Sequence, residues 1–386
     1  MGSFNFFSRN FLGICISGLF YFSSFFILIP VLPIYVDNLG GTSSEIGLVT
    51  GVFAISSVAL RPYFGKLADI YGLRTFLLLG SFLFALPYIA YILVDSIAVL
   101  YPIRIFHGIA HGVYLAAAFV YVADLAPDNR RGEVIGIYST MSVFAMALSP
   151  ALSAFIMSIT NSFTIIFSTG LGMAVVAFIA AYVVDEKKLD RKKSSSPSVL
   201  KVLFKKPVLV ASITLSTAAA SYGAITTFLP IYAPSKGIYS IGLFFTVHAA
   251  FTMFSRVFAG KISDIYGRYK VIIPFMALLI VSVGLLAIMD SMIIMLTVAA
   301  LFGIGIGSIM PTLNAYIVDE VSEEERSSSL AVFSSFQDVG VCLGAILFGF
   351  IGGLSDYSTM YFSVCGFVFL GLLIFALGAR KSIKSE

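Results

Sequence analysis

Arg104, His107 and His111 fall three and four residues apart in the stretch RIFHGIAHG. Helical spacing would line a guanidinium and two imidazoles along one stripe, with Gly108 and Gly112 forming a thin strip for close helix packing. A guanidinium does not release its proton, so Arg104 is suited to binding an anionic group or to tuning a neighbouring acid. An imidazole is the side chain suited to respond to pH, which makes His107 a candidate for handling protons. The His107–His111 spacing also occurs at metal sites, but no acidic third ligand stands near it in sequence. Hydrogen-bonded histidines are therefore expected, and no metal. A lone carboxylate, Asp338, lies in the apolar run SSFQDVGVCLGAILFG. A carboxyl at membrane depth needs a reason to be there, and one that loads a proton from one side and releases it to the other has such a reason.

A second set of polar residues occurs twice. GKLADIYG begins at Gly65 and GKISDIYG at Gly260, 195 residues apart. The same offset relates Ile46-Gly47 to Ile241-Gly242, Arg61 to Arg256, Gly112 to Gly307, Tyr121 to Tyr316, Asp124 to Asp319 and Arg131 to Arg326. Each octapeptide is expected in a connection of about ten residues between two helices. Gly65, Gly72, Gly260 and Gly267 would supply close approach and left-handed dihedrals there. Asp69 would then start the following helix, where a carboxylate meets the helix dipole, or pair with a cation on a neighbouring helix end. Asp264 repeats its place.

The elements that must hold these residues are membrane helices. Hydrophobic residues make up 59% of the 386 and charged residues 11%, against about 25% charged in a soluble domain. Twelve continuous apolar runs approach the roughly 20 residues that a spanning helix needs. They cover 10–35, 45–63, 75–94, 98–122, 133–158 and 163–184, then 207–233, 240–259, 270–289, 292–316, 327–352 and 357–378. The runs do not alternate as barrel strands would. Without Trp, the interfacial belt falls to 19 Tyr and 37 Phe. Cys15, Cys342 and Cys365 sit in apolar runs at unrelated spacings, as small buried hydrophobes rather than a disulfide framework.

Placing the N-terminus inside puts Lys66, Arg74, Arg130, Arg131, Lys261, Arg268 and Lys270 in inner loops, with Arg380, Lys381 and Lys384 in the tail. The polar link DEKKLDRKKSSSPSVLKVLFKK is also inner, and the outer loops hold only Lys236. Both termini are therefore expected in the cytoplasm. The chain divides into six helices over 1–184, a cytoplasmic linker over 185–206 and six helices over 207–386. Six spans return the chain to its starting side, so the halves are parallel repeats.

These features resemble the major facilitator superfamily of transporters over the whole chain, and in particular its 12-helix drug/proton antiporter branch. The signature G-x-L-[AS]-D-x-x-G-R is matched by Gly65-Lys66-Leu67-Ala68-Asp69-Ile70-Tyr71-Gly72, with its Arg displaced by one to Arg74. The second copy keeps Arg268 directly after Gly267. The resemblance implies an all-α membrane fold of two pseudo-symmetric six-helix bundles. It implies a conformational latch at the octapeptides, with Asp124 and Arg131 close by, and a part for Arg104 in proton coupling. In the fifth span the branch carries G-x-x-x-G-P-x-x-G-G. Here that is Ala145-x-x-x-Ser149-Pro150-x-x-Ser153-Ala154, so small size and the proline survive without the glycines. Gly340, Gly344 and Gly349 stand at the equivalent region of the second half, and PVLPIYVDNLG at the end of the first span is also typical of the branch.

The expected function is secondary transport by alternating access, as proton-coupled export of an amphiphilic small molecule or drug. Import or facilitated diffusion of a small metabolite, sugar or lipid is the alternative. Phe26, Tyr114, Tyr222 and Asn314 are the candidate cavity residues. No nucleophile elbow, zinc pair or carboxylate cluster suggests an enzyme, and no P-loop suggests ATP-driven transport. Expected partners are the solute, protons and membrane lipids, with no cofactor and no nucleic acid, for a monomer in the cell membrane.

Overall fold

The structure, a computed structural model, describes residues 6–127, 130–186 and 202–379, and these hold helices joined by short turns with no strand. Most of the basic link and the tail, including Lys187, Lys188, Arg191, Lys192, Lys193, Lys201, Arg380, Lys381 and Lys384, lies outside the described residues.

In hydrocarbon every backbone N–H and C=O must be satisfied within the segment, so continuous apolar runs fold as helices. The first half comprises α1 (Arg9–Ile27), α2 (Val31–Asn38), α3 (Ser43–Ala59), α4 (Arg61–Tyr71), α5 (Leu73–Leu93), α6 (Ile97–Leu125), α7 (Arg131–Thr160) and α8 (Phe163–Tyr182). The second comprises α9 (Lys206–Ser235), α10 (Ile241–Tyr266), α11 (Arg268–Ala287), α12 (Met292–Glu320), α13 (Glu323–Leu354) and α14 (Tyr357–Gly378). Eleven stretches are long and apolar enough to cross a membrane, the first being α1 and α2 together, and the bent pair α3–α4 makes a twelfth. The 195-residue offset carries α5 onto α11, α6 onto α12, α7 onto α13 and α8 onto α14, so the duplication reaches the last span of each half.

One difference between the halves has a local cause. The second span is broken between α3 and α4 with a 44° bend, whereas α10 runs unbroken. Pro62 sits in the first turn of α4, and the matching residue in α10 is Val257. A proline there has no N–H for the carbonyl one turn back and its ring crowds that carbonyl.

Over the described residues the chain forms two compact units, one from Met1–Gly40 and Val52–Arg191, the other from Gly41–Gly51 and Lys192–Glu386. Within the first, α1 packs on α7 and α8, and α5 on α6 and α8. Within the second, α9 packs on α13 and α14, and α11 on α12 and α14, the same pairings one repeat later. Close crossings rest on glycine. A Cβ at Gly340 or Gly344 of α13 would run into the carbonyls of Ser216 or Ala220 on α9. Many large apolar side chains, among them Leu148, Phe155, Ile159, Phe254 and Leu354, face outward as a lipid-covered surface requires.

Candidate functional site

Two regions gather the polar residues singled out by sequence: a buried cluster inside the first unit and the octapeptide turn in each repeat.

The buried cluster is centred on α6. Arg104 is 5% exposed, His107 0% and His111 8%. Their four-residue spacing brings the two imidazoles onto one face of α6, toward α5 and α3. The Tyr91 hydroxyl, from α5, lies 3.0 Å from His107 Nδ1, and Arg104 Nη1 donates to that hydroxyl at 3.4 Å. The guanidinium is only a donor, so the Tyr91 oxygen accepts from it, while the direction of the Tyr91–His107 bond follows the imidazole tautomer. A neutral imidazole accepting at Nδ1 carries its proton on Nε2, and His107 Nε2 has no hydrogen-bond partner among the described residues. The Arg104 guanidinium also lies over the Phe53 ring of α3, 4.2 Å from its centre. Phe84 at 4.1 Å, Tyr88 at 5.5 Å and Phe53 at 5.5 Å complete the ring wall around His107.

A second chain of phenols adjoins it. The Tyr21 hydroxyl lies 3.0 Å from His111 Nδ1, and the Tyr21 and Tyr114 rings stack with centroids 3.7 Å apart. Ser17 donates to the Ala177 carbonyl at 2.9 Å, so Tyr114 donates to Ser17 across 3.1 Å. Tyr88 donates to the Ser24 carbonyl. Tyr114, a cavity candidate by sequence, is enclosed at 0% exposure and hydrogen-bonded to Ser17. Phe26 is half-buried, its ring centre 5.1 Å from that of Phe25, which itself stacks on His111 and Phe53.

The glycines beside the stripe hold α6 against α3. A Cβ at Gly108 would strike the Phe53 carbonyl and Ser56 Oγ, and one at Gly112 would stand 2.6 Å from the Ser57 carbonyl. The second repeat builds the same crossing: a Cβ at Gly303 would stand 2.6 Å from the His248 carbonyl, and one at Gly307 would strike Ser255 and Thr252. Phe53 and His107 of the first unit correspond, by the offset, to His248 and Phe302 of the second. The aromatic ring and the imidazole have changed places, and His248 and Phe302 are again 5.5 Å apart. Tyr222, half-buried, lies 5.8 Å from the His248 ring, and Asn314 is half-buried on α12. Asp338 is half-buried near the middle of α13 in the second unit, whereas Arg104 belongs to the first.

At the octapeptides the structure corrects the expected turn. Gly65 and Gly260 lie inside helices, α4 and α10, with nothing within 4 Å of a built Cβ. The connection is one residue long: Gly72 at φ 98° and Gly267 at φ 87°. Asp69 therefore does not start the third span. It is exposed in the last turn of α4, and Asp264 holds the same place in α10. The N-terminus of α5 is instead capped by Glu186, whose carboxylate accepts from the amides of Leu73 at 3.1 Å and Arg74 at 3.0 Å. Arg74 turns away and donates to the Val184 and Tyr182 carbonyls at the end of α8, at 2.6 Å and 3.1 Å. In the second repeat Arg268 pairs with Asp264 at 2.5 Å and Asp319 at 3.0 Å, tying α10, α11 and α12 within one unit. Asp124 lies in the last turn of α6 and Arg131 opens α7, both at this end of the first unit.

Glu186 was not singled out by sequence; the only signal for it was the one-residue displacement of Arg74. The roles of the motif glycines are separable. Gly72→Ala forces a side chain into a left-handed conformation, costing about 1–2 kcal/mol, and places its Cβ 2.8 Å from the Glu186 carboxylate. Gly65→Ala should instead gain about 0.5–1 kcal/mol in its open helical place. Thermal unfolding of the detergent-purified variants is expected to move in opposite directions.

A family model described as Major Facilitator Superfamily matches residues 14–239 and 238–385. The staphylopine export protein of Staphylococcus aureus is 26% identical, covering 94% of this chain and 94% of its own length. The quinolone resistance protein NorA of Staphylococcus aureus is 24% identical, covering 93% of each. Among solved structures, the nucleoside transporter NupG superposes with a TM-score of 0.78 at 14% identity, over 96% of this chain and 98% of that one. A bacterial homologue of the human lysosomal transporter Spinster gives 0.78 at 14% identity over 99% of each chain.

Proposed function

The chain belongs to the Major Facilitator Superfamily, a multi-pass membrane transporter rather than an enzyme, and on that premise we propose that it exports an amphiphilic small molecule in exchange for protons. Alternating access of the two repeats would carry the solute. The observation that carries the coupling is Asp338, a carboxylate half-buried near the middle of a 32-residue membrane helix. An ionisable group at that depth costs upwards of ~3 kcal/mol, so its retention calls for a function, and proton carriage is the one its chemistry fits. Arg104 and His107 set the field of the first unit. The octapeptide residues, with the Arg268 ion pairs and the Glu186 cap, would latch each unit at its inner end. Both termini would face the cytoplasm of a monomer in the cell membrane, in contact with its lipids.

Export is favoured by the relatives, two of which are named for export of staphylopine and for quinolone resistance. An amphiphilic solute fits the aromatic and amide side chains of Phe26, Tyr222 and Asn314, each half-buried, which would line its path.

Proteoliposomes with an imposed pH gradient test the reading. Rhodamine 6G, Nile red and a dansyl fatty acid span cationic, neutral and anionic amphiphiles. At least one is expected to accumulate above protein-free liposomes, with nigericin removing the excess. Accumulation of none, or accumulation indifferent to nigericin, would overturn proton-coupled export.

A further inference from the structure

The duplication supplies an internal control on the buried cluster. By the 195-residue offset, Tyr91, Arg104 and His107 correspond to Leu286, Ala299 and Phe302, all fully buried in the second unit. Tyr88, Phe84 and Tyr114 correspond to Val283, Leu279 and Ile309, likewise buried. At these six positions the same α6-type crossing, with the same pair of glycine contacts, carries only apolar side chains one repeat later, and its imidazole, His248, stands instead where the first repeat has Phe53. The fold does not need a guanidinium or phenols in this place, and burying them in a membrane protein is unfavourable.

From this geometry we infer that Arg104, Tyr91 and His107 form a recognition site for the anionic head of the transported solute, which is therefore an amphiphilic carboxylate. The inference rests on the transport reading above and names the class of its cargo. A buried cation and a buried ring nitrogen without a partner carry it. Arg104 donates to Tyr91, Tyr91 and His107 Nδ1 share a hydrogen bond, and His107 Nε2 has no hydrogen-bond partner among the described residues. A carboxylate arriving at Nε2 would select the imidazole form that donates there, and a guanidinium beside it favours an anion over a cation. The Phe84 ring beside His107 offers only a weak acceptor in its π face.

Access is aromatic. Phe53, with the guanidinium against its face, and Phe25, half-buried and stacked 5.5 Å from it, lie across the cluster. Turning these two rings would bring a carboxylate to the guanidinium and to Nε2, while its apolar body lies along Phe25 and Phe26. The second unit presents the imidazole of His248 without a cation at the position of Arg104, so the head group is read by the first unit.

Equilibrium binding to the detergent-purified full chain tests this with three probes on one ring system: 1-naphthylacetate, 1-naphthylacetamide and 1-naphthylmethylamine. The carboxylate is expected to bind about tenfold or more tighter than the amide, with the amine weakest. Arg104→Gln and His107→Phe should each bring carboxylate and amide within about twofold of each other. His107→Gln keeps a donor and should retain part of the preference. Tyr91→Phe, which removes no charge, should weaken carboxylate binding and guards against a misfolded Arg104 variant. Equal binding of the three probes, tighter binding of the amine, binding of none, or a carboxylate preference that survives His107→Phe and Tyr91→Phe would each overturn the inference. Nigericin-sensitive accumulation of an amphiphile without any carboxylate preference would leave the exporter reading standing. Carboxylate binding without gradient-driven flux would remove the exporter reading and leave this site.

Discussion

Asp338→Asn is expected to reduce proton-driven accumulation to the level of protein-free liposomes while leaving solute exchange at zero gradient intact. The amide has the volume and much of the hydrogen-bonding capacity of the acid but cannot take up or release a proton. A carrier that still rocks between its two states will therefore exchange labelled for unlabelled solute, and only the step that spends the proton gradient is lost. The separation matters because Asp338 stands in a helix whose own packing is close. Gly340 and Gly344, two and six residues on, bring α13 against the backbone of α9. A substitution that disturbed that contact would stop exchange as well as accumulation. Loss of both activities in a variant that elutes as a monodisperse species would show that Asp338 holds the helix rather than the proton. Retention of both would remove it from the coupling set.

The second large effect is structural. Gly108→Val and Gly303→Val, the same substitution in the two repeats, should each cost well over the ~1–3 kcal/mol usual for overpacking. The obstacle is backbone: the Phe53 carbonyl faces Gly108, and the His248 carbonyl stands 2.6 Å from a Cβ at Gly303. A carbonyl on a facing helix cannot swing aside as a side chain can, so the helices must part. Small residues at such crossings are what lets membrane helices associate through van der Waals contact. Both variants are expected to lose most of the monodisperse peak in size-exclusion chromatography, and a β-branched residue also lowers helix propensity. Gly172→Val on α8, where nothing lies within 4 Å of a built Cβ, is the control and should elute normally.

How much of this could be read from sequence varied with the range of the interaction. The twelve spans and the duplication were legible because each depends on a local property, hydropathy over a window, repeated at a fixed offset. The stripe of Arg104, His107 and His111 was legible for the same reason, since three- and four-residue spacing on one helix is local. Their partners were not. Tyr91 and Phe53 lie on other helices and meet His107 only through the packing of α5 and α3 on α6. Nothing in the motif announces a tyrosine sixteen residues upstream.

The glycines of the octapeptide are of two kinds. Glycine is a turn signal in water, where it weakens helices, but inside a membrane-protein helix it is tolerated. Gly65 and Gly260 are therefore helical, and the turn is confined to Gly72 and Gly267, the two glycines with positive φ. The displaced Arg74 was visible, but its consequence was not. Leu73 is buried directly after Gly72, and the carboxylate of Glu186, from the segment that follows α8, caps α5.

The central claim is that solute and protons move in opposite directions through one protein. Its most direct test is wild-type protein in liposomes that contain pyranine, with no pH gradient at the start. A gradient of whichever amphiphile the accumulation assay identifies is then imposed, and lumenal pH is followed as the solute flows. The account predicts that protons move against the solute, that valinomycin with potassium does not abolish the pH change, and that Asp338→Asn liposomes show none. Solute flux through the wild-type protein with lumenal pH unchanged would contradict it.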